Sequence, residues 1–91
     1  MGSRETIIVE FYGIPRHRAG RAELPVVAGT VHEALLAVQR ACPALGNLFA
    51  ADARLSPHYL LSLGGQPFLR DLNAPLQQGD RLVLFSADAG G

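Results

Sequence analysis

Leu76-Gln77-Gln78-Gly79-Asp80-Arg81-Leu82-Val83-Leu84-Phe85-Ser86 is followed by Ala87-Asp88-Ala89-Gly90-Gly91, where the sequence ends. Gly79-Asp80 is a turn signal. The run from Arg81 to Ser86 is apolar on both faces at its centre, which predicts a strand inside a sheet rather than at its edge. Side chains alternate along a strand, so Leu82 and Leu84 share one face and Val83 and Phe85 share the other. Beyond Ser86 nothing remains that could pack, and a short spacer leads to two glycines. At ordinary glycine frequency a terminal pair of this kind arises by chance in about one chain in a hundred or fewer.

The elements upstream supply partners for that strand. Thr6-Ile7-Ile8-Val9-Glu10-Phe11-Tyr12 is β-branched and aromatic and stops at Gly13, so it reads as a first strand. The stretch from Gly13 to Gly20 carries Pro15 and two arginines and reads as an exposed turn. Arg21 to Val27 reads as the second strand of a hairpin, and Pro25 predicts that it is an edge strand, since proline has no N–H to donate. Thr30-Val31-His32-Glu33 is a capping box, with the Thr30 hydroxyl accepting from the first turn and Glu33 returning to the Thr30 amide. Val31, Ala34, Leu35, Val38 and Cys42 recur at helical spacing, and Pro43 stops the helix, predicted over 31–42. Residues 43–57 read as an irregular connection pinned by Leu45, Leu48, Phe49 and Leu55. Tyr59 to Leu63 is a third strand, Gly64-Gly65 a two-residue hairpin turn, and Pro67-Phe68-Leu69 a short return strand. A 3₁₀ turn is expected around Pro75-Leu76. One helix cannot cover both faces of a sheet, so the order predicts an α+β fold of two layers.

Composition narrows the chemistry. The 91 residues are 48% hydrophobic and 18% charged, which describes one folded domain. Eight basic residues balance eight acidic ones, against a basic nucleic-acid groove or an anionic-membrane binder. All eight are arginines, and without lysine the chain can form no Schiff base and carries no phosphate-loop lysine. A lone cysteine, Cys42, excludes an internal disulfide and fits a reducing compartment, so cytoplasm is the expected location. No apolar run approaches the roughly 20 residues of a membrane span. His17, His32 and His58 lack metal-ligand spacing and read as surface or packing residues, and Cys42 reads as a buried thiol. No nucleophile elbow, phosphate loop or dinucleotide fingerprint is present, and the carboxylates are scattered, so neither a metal site nor catalysis of its own is expected. The arginines of the Pro15–Arg21 segment form the main electropositive feature, either a solvated loop or a contact for an acidic partner.

These residues together resemble the ubiquitin-like β-grasp proteins of the ThiS/MoaD sulfur-carrier group. Phe11-Tyr12-Gly13-Ile14-Pro15-Arg16 with Gly20 is similar to the group's first strand and turn. Gly29-Thr30-Val31-His32-Glu33-Ala34-Leu35 is similar to its helix start. Leu76 to Leu84 matches its Leu-x-x-Gly-Asp-x-hydrophobic pattern, and Gly90-Gly91 matches its tail. The resemblance implies a mixed sheet of four to five strands packed on one helix, with a body of residues 1–86 and a tail of residues 87–91. It implies that an E1-like enzyme of the ThiF/MoeB type adenylates the Gly91 carboxylate, with Gly90 as companion. Sulfur then displaces AMP to leave a thiocarboxylate. ATP and Mg would belong to that enzyme and no cofactor to this chain. A cysteine desulfurase or rhodanese would supply sulfur, and a downstream enzyme would accept it. Glycine suits such a terminus because a backbone without Cβ can thread a narrow channel and approach a phosphate closely.

Partner contacts are assigned to Phe85, Val83, Leu60, Asp88 and Arg16. Leu82 and Leu84 are placed in the core, so that Val83, Phe85 and Leu60 form an apolar patch on the open sheet face, which ubiquitin-like proteins use for partners. The alternative is that the 43–57 connection folds over that face. The pathway served is left open, since Ser86-Ala87-Asp88-Ala89 departs from the Pro-Pro-Val-like run common in molybdopterin-synthase small subunits. Two other functions are carried alongside: a modifier conjugated through Gly91 to target amines, and a β-grasp binding module that does no chemistry.

Overall fold

A computed structural model describes residues 5–64, 66 and 68–87. Alternation builds the first hairpin. Strand β1, Glu5–Phe11, buries Ile7, Val9 and Phe11, and strand β2, Glu23–Ala28, buries Leu24, Val26 and Ala28. They pair antiparallel from Glu5↔Ala28 to Glu10↔Glu23. The Phe11 amide donates to the Ala22 carbonyl, which makes the Ile8↔Pro25 pair a non-hydrogen-bonded one. The Pro25 nitrogen therefore points away from β1, and β2 is an edge strand, as its proline predicts.

The segment between them corrects the sequence reading. Ile14–Ala19 forms a short helix, α1, not an irregular turn. Pro15 lies in its first turn, where a missing N–H costs nothing. Gly20 closes it at φ 73°, in the left-handed region, with its amide donating to the Arg16 carbonyl at 3.0 Å. Proline and glycine here punctuate the two ends of a helix.

Helix α2 spans Val31–Ala41, with Cys42 as its cap. Thr30 Oγ1 accepts from the Glu33 amide at 3.2 Å, as the capping box requires, but Glu33 Oε1 accepts from the Gly29 amide at 2.7 Å and not from Thr30. Val31, Ala34, Leu35, Val38 and Cys42 are all buried against the sheet, as their spacing predicts. A 3₁₀ turn at Pro43–Leu45 follows. Leu45 and Leu48 are buried, and Phe49 and Leu55 pack partly against the core. Gln39 Oε1 accepts from the Leu48 amide at 2.7 Å, and the Tyr59 hydroxyl donates to the Leu45 carbonyl at 2.6 Å. The connection is thus tied to the helix layer.

Strand β3, Tyr59–Leu63, and strand β4, Arg81–Ser86, have the predicted bounds and pair antiparallel. Leu63 and Gln66 exchange backbone bonds of 3.1 and 2.9 Å, the signature of a two-residue turn. The return strand over 67–69 is not formed among the described residues; one bond, from the Leu69 amide to the Leu61 carbonyl at 2.8 Å, ties that segment to β3. The chain leaves the sheet because it is needed elsewhere. The orphan amides of Val31 and His32 donate to the carbonyls of Ala74 and Leu72, so residues 72–76 strap the helix start. The 3₁₀ turn expected at Pro75-Leu76 is instead a bridge between Thr30 and Pro75.

The sheet order is β2-β1-β4-β3, with β1 and β4 parallel from Ile8↔Arg81 to Phe11↔Leu84. The Gly79-Asp80 turn sets that register. The Gly79 amide donates to the Thr6 carbonyl at 3.0 Å, the Asp80 carbonyl accepts from the Ile8 amide at 2.9 Å, and Asp80 Oδ2 accepts from the Gln77 amide at 2.8 Å. Gly79 stands at φ 86°, where a side chain is strained. A Gly79→Ala variant is expected to lose about 1–2 kcal/mol of stability, read as a lower urea midpoint with an unchanged slope. An unchanged midpoint would show that the turn does not constrain the sheet.

Candidate functional site

β4 carries the end of the chain out between two neighbours. On one side the Tyr12 amide donates to the Leu84 carbonyl at 3.1 Å; on the other the Ala87 amide donates to the His58 carbonyl at 2.9 Å. The ladder therefore holds the chain as far as Ala87, one residue beyond the named strand. Asp88, Gly90 and Gly91 lie outside the described residues.

Around this root the open sheet face gathers three of the expected contact residues. Leu60 stands opposite Phe85, and Ser62 opposite Val83. Leu82 and Leu84 are fully buried, while Val83, Phe85 and Leu60 are each half-buried. The assignment of faces made from the sequence is the one observed. Arg16 is exposed on α1, which packs against β4, so it belongs to the same end of the molecule but to a different surface. It lines a shallow depression with Gly13, His17, Gly20, Arg21 and Ala22.

The sequence reading missed a polar cluster on the same face. Arg81 Nη1 donates to Glu10 Oε2 at 2.6 Å and to Glu23 Oε2 at 3.2 Å, and the Tyr12 hydroxyl donates to Glu10 Oε1 at 3.0 Å. The signal was available: Glu10 and Glu23 stand directly opposite one another on the hairpin, and two facing carboxylates require a cation. The Arg81 hydrogen bond, then that of Tyr12, holds the Glu10 carboxyl below its ordinary value of 4.5. The Glu10 carboxylate raises the Tyr12 phenol and the Arg81 guanidinium.

A depressed carboxylate stabilises the fold above its unfolded pKa, and that contribution is lost as pH falls through the folded value. The melting temperature is therefore expected to decline as pH drops below about 4.5, Glu10's ordinary value. A Glu10→Gln variant should show a shallower acid decline in a pH series of thermal melts. Identical acid limbs would remove Glu10 from the account.

Sheet order, the parallel β1–β4 pair, the single long helix and the strap over its start define a ubiquitin-like β-grasp fold. Among solved structures, it is similar to SAMP1 from Haloferax volcanii, at 28% identity and TM-score 0.80 over 94% of this chain and 99% of that one. It shares its fold with the small archaeal modifier protein 1 of Methanosarcina acetivorans, at 23% identity and TM-score 0.84 over 99% and 100% of the two chains. It also shares it with a Pyrococcus furiosus protein assigned as molybdopterin converting factor subunit 1, at 16% identity and TM-score 0.69 over 90% and 97%. No family model matches the chain, and no curated protein sequence matches it. Among the described residues no helix is long and apolar enough to cross a membrane.

Proposed function

We propose that this chain is a cytoplasmic ubiquitin-like sulfur carrier that works through the Gly91 carboxylate. An E1-like partner holding Mg and ATP joins that carboxylate to the α-phosphate and releases pyrophosphate. Hydrosulfide, or sulfur delivered from a persulfide by a desulfurase or rhodanese with a thiol reductant, displaces AMP and leaves the thiocarboxylate. The observation that supports this reading most is the mounting of the tail. β4 is locked between β1 and β3, and it runs beside the half-buried Val83, Phe85 and Leu60, so a partner gripping that face holds the strand from which the last residues depart. The domain contributes a rigid body and an activatable end; the catalytic groups are the partner's.

The likeness to small archaeal modifier proteins favours a second reading, in which the same adenylate passes to a target amine. Incubation of the chain with an E1-like enzyme, Mg–ATP and a sulfur donor, followed by intact mass spectrometry, separates the two. The mass increment of one sulfur replacing one oxygen is expected. Covalent adducts to other proteins, without that increment, would establish the modifier, and an unaltered mass would leave only a binding module.

A further inference from the structure

A groove of about 870 Å³ runs along the outer side of β3, between residues 54–57 and 68–71, within the usual size range of binding pockets. Its walls include half-buried Leu55 and Leu60 and the aromatic ring of Phe68, whose residue is 61% exposed. Leu69 turns into the core at 6% exposure, while Phe68 beside it faces out. With Leu55 and Leu60 the ring makes a joined apolar surface in the groove, and a joined apolar patch is what marks an interaction site.

Among the described residues the lining carries two cations against one carboxylate, a net positive charge. Arg54 and Arg70 are the cations, both exposed. Arg54 meets Asp52 only at 3.8 Å, both side chains being solvated, an arrangement that contributes little. Arg70 has no ion-pair partner among the described residues. That carboxylate, Asp71, already accepts from the Asn73 amide at 2.9 Å. Strand addition is obstructed, because the chain itself occupies the edge of β3: the Tyr59 amide donates to the Ser56 carbonyl, Leu61 accepts from Leu69, and Leu63 is paired with Gln66. A ligand must bind by its side chains.

We infer that this groove docks an extended acidic segment of a partner protein, with an aliphatic or aromatic anchor between Phe68 and Leu60 and carboxylates on Arg54 and Arg70. Docking is independent of the chemistry at Gly91. Leu60 also faces the open sheet, so a segment in the groove continues onto the face proposed for activation.

The test is an NMR titration of the ¹⁵N-labelled chain with a heptapeptide in which glutamates flank a central Leu-Phe pair, against the same peptide with lysines for glutamates. Saturable shifts centred on Leu55, Leu60 and Phe68 to Asp71 are expected from the glutamate peptide only. Phe68→Ala should weaken binding about tenfold, and Arg54→Glu with Arg70→Glu should reverse the preference toward the lysine peptide. These side chains are exposed, and a retained cooperative melt checks the fold. Removing Gly90 and Gly91 should leave the affinity unchanged, which keeps this outcome separate from that of the sulfur chemistry. Equal binding of both peptides, shifts centred on Val83 and Phe85, or shifts produced by protein concentration alone would each overturn the assignment.

Discussion

Deleting Gly90 and Gly91 is expected to abolish adenylation and thiocarboxylate formation, while the thermal melt stays where it was. Among the described residues the last ladder bond is that of Ala87, so the deletion removes no described contact. It removes the only group proposed to react. Pyrophosphate release by the E1-like enzyme would fall to the level seen without carrier, and the intact mass would show no sulfur. A Gly91→Ala variant separates reach from reactivity. It keeps the carboxylate but adds a Cβ, and misplacement of a reacting atom by an ångström can cost on the order of a hundredfold in rate. Undiminished pyrophosphate release from the deletion would end the carrier and the modifier readings together and leave the binding module.

Phe85→Asp is the second change with a large expected effect. Phe85 pairs with Leu60 across β3–β4 and is half-buried, with the core on the other side of the strand formed by Leu82 and Leu84. A charge there faces water in the free protein but meets an apolar surface in the complex. Loss of an aromatic anchor from the centre of an interface costs about 2 kcal/mol or more, or roughly thirtyfold. The concentration of carrier that half-saturates the E1-like enzyme should therefore rise by at least that factor, with the melt still cooperative. Unchanged half-saturation would move the contact surface elsewhere on the molecule. Loss of the cooperative melt would make Phe85 a core residue.

Short-range chemistry was legible from the residues. The bounds of β3 and β4, the apolar stripe of α2 and the edge position of β2 follow from period, capping and a proline. The two faces of β4 follow from alternation, which is why Leu60, Val83 and Phe85 could be grouped in advance. What failed depended on distant groups. Pro15 reads as a breaker unless the helix is known to begin beside it. Residues 67–69 have a strand's composition, but the following segment is drawn away to satisfy the amides at the start of α2. Arg81 joins Glu10 and Glu23 across 71 and 58 residues; the facing carboxylates of the hairpin call for a cation, but only the fold decides which arginine supplies it. The groove beside β3 is likewise assembled from two connections whose proximity only the fold creates.

The parallel pairing of β1 and β4 has a mechanical consequence. A pull on the tail acts along β4, which is bonded to β1 on one side and β3 on the other. Hydrogen bonds that lie across the direction of force share the load and must yield together, instead of peeling one at a time. The domain should accordingly resist being pulled apart along β4. A force applied at the end of β4 therefore meets the whole ladder at once, and the body should hold its shape until that ladder fails as a unit.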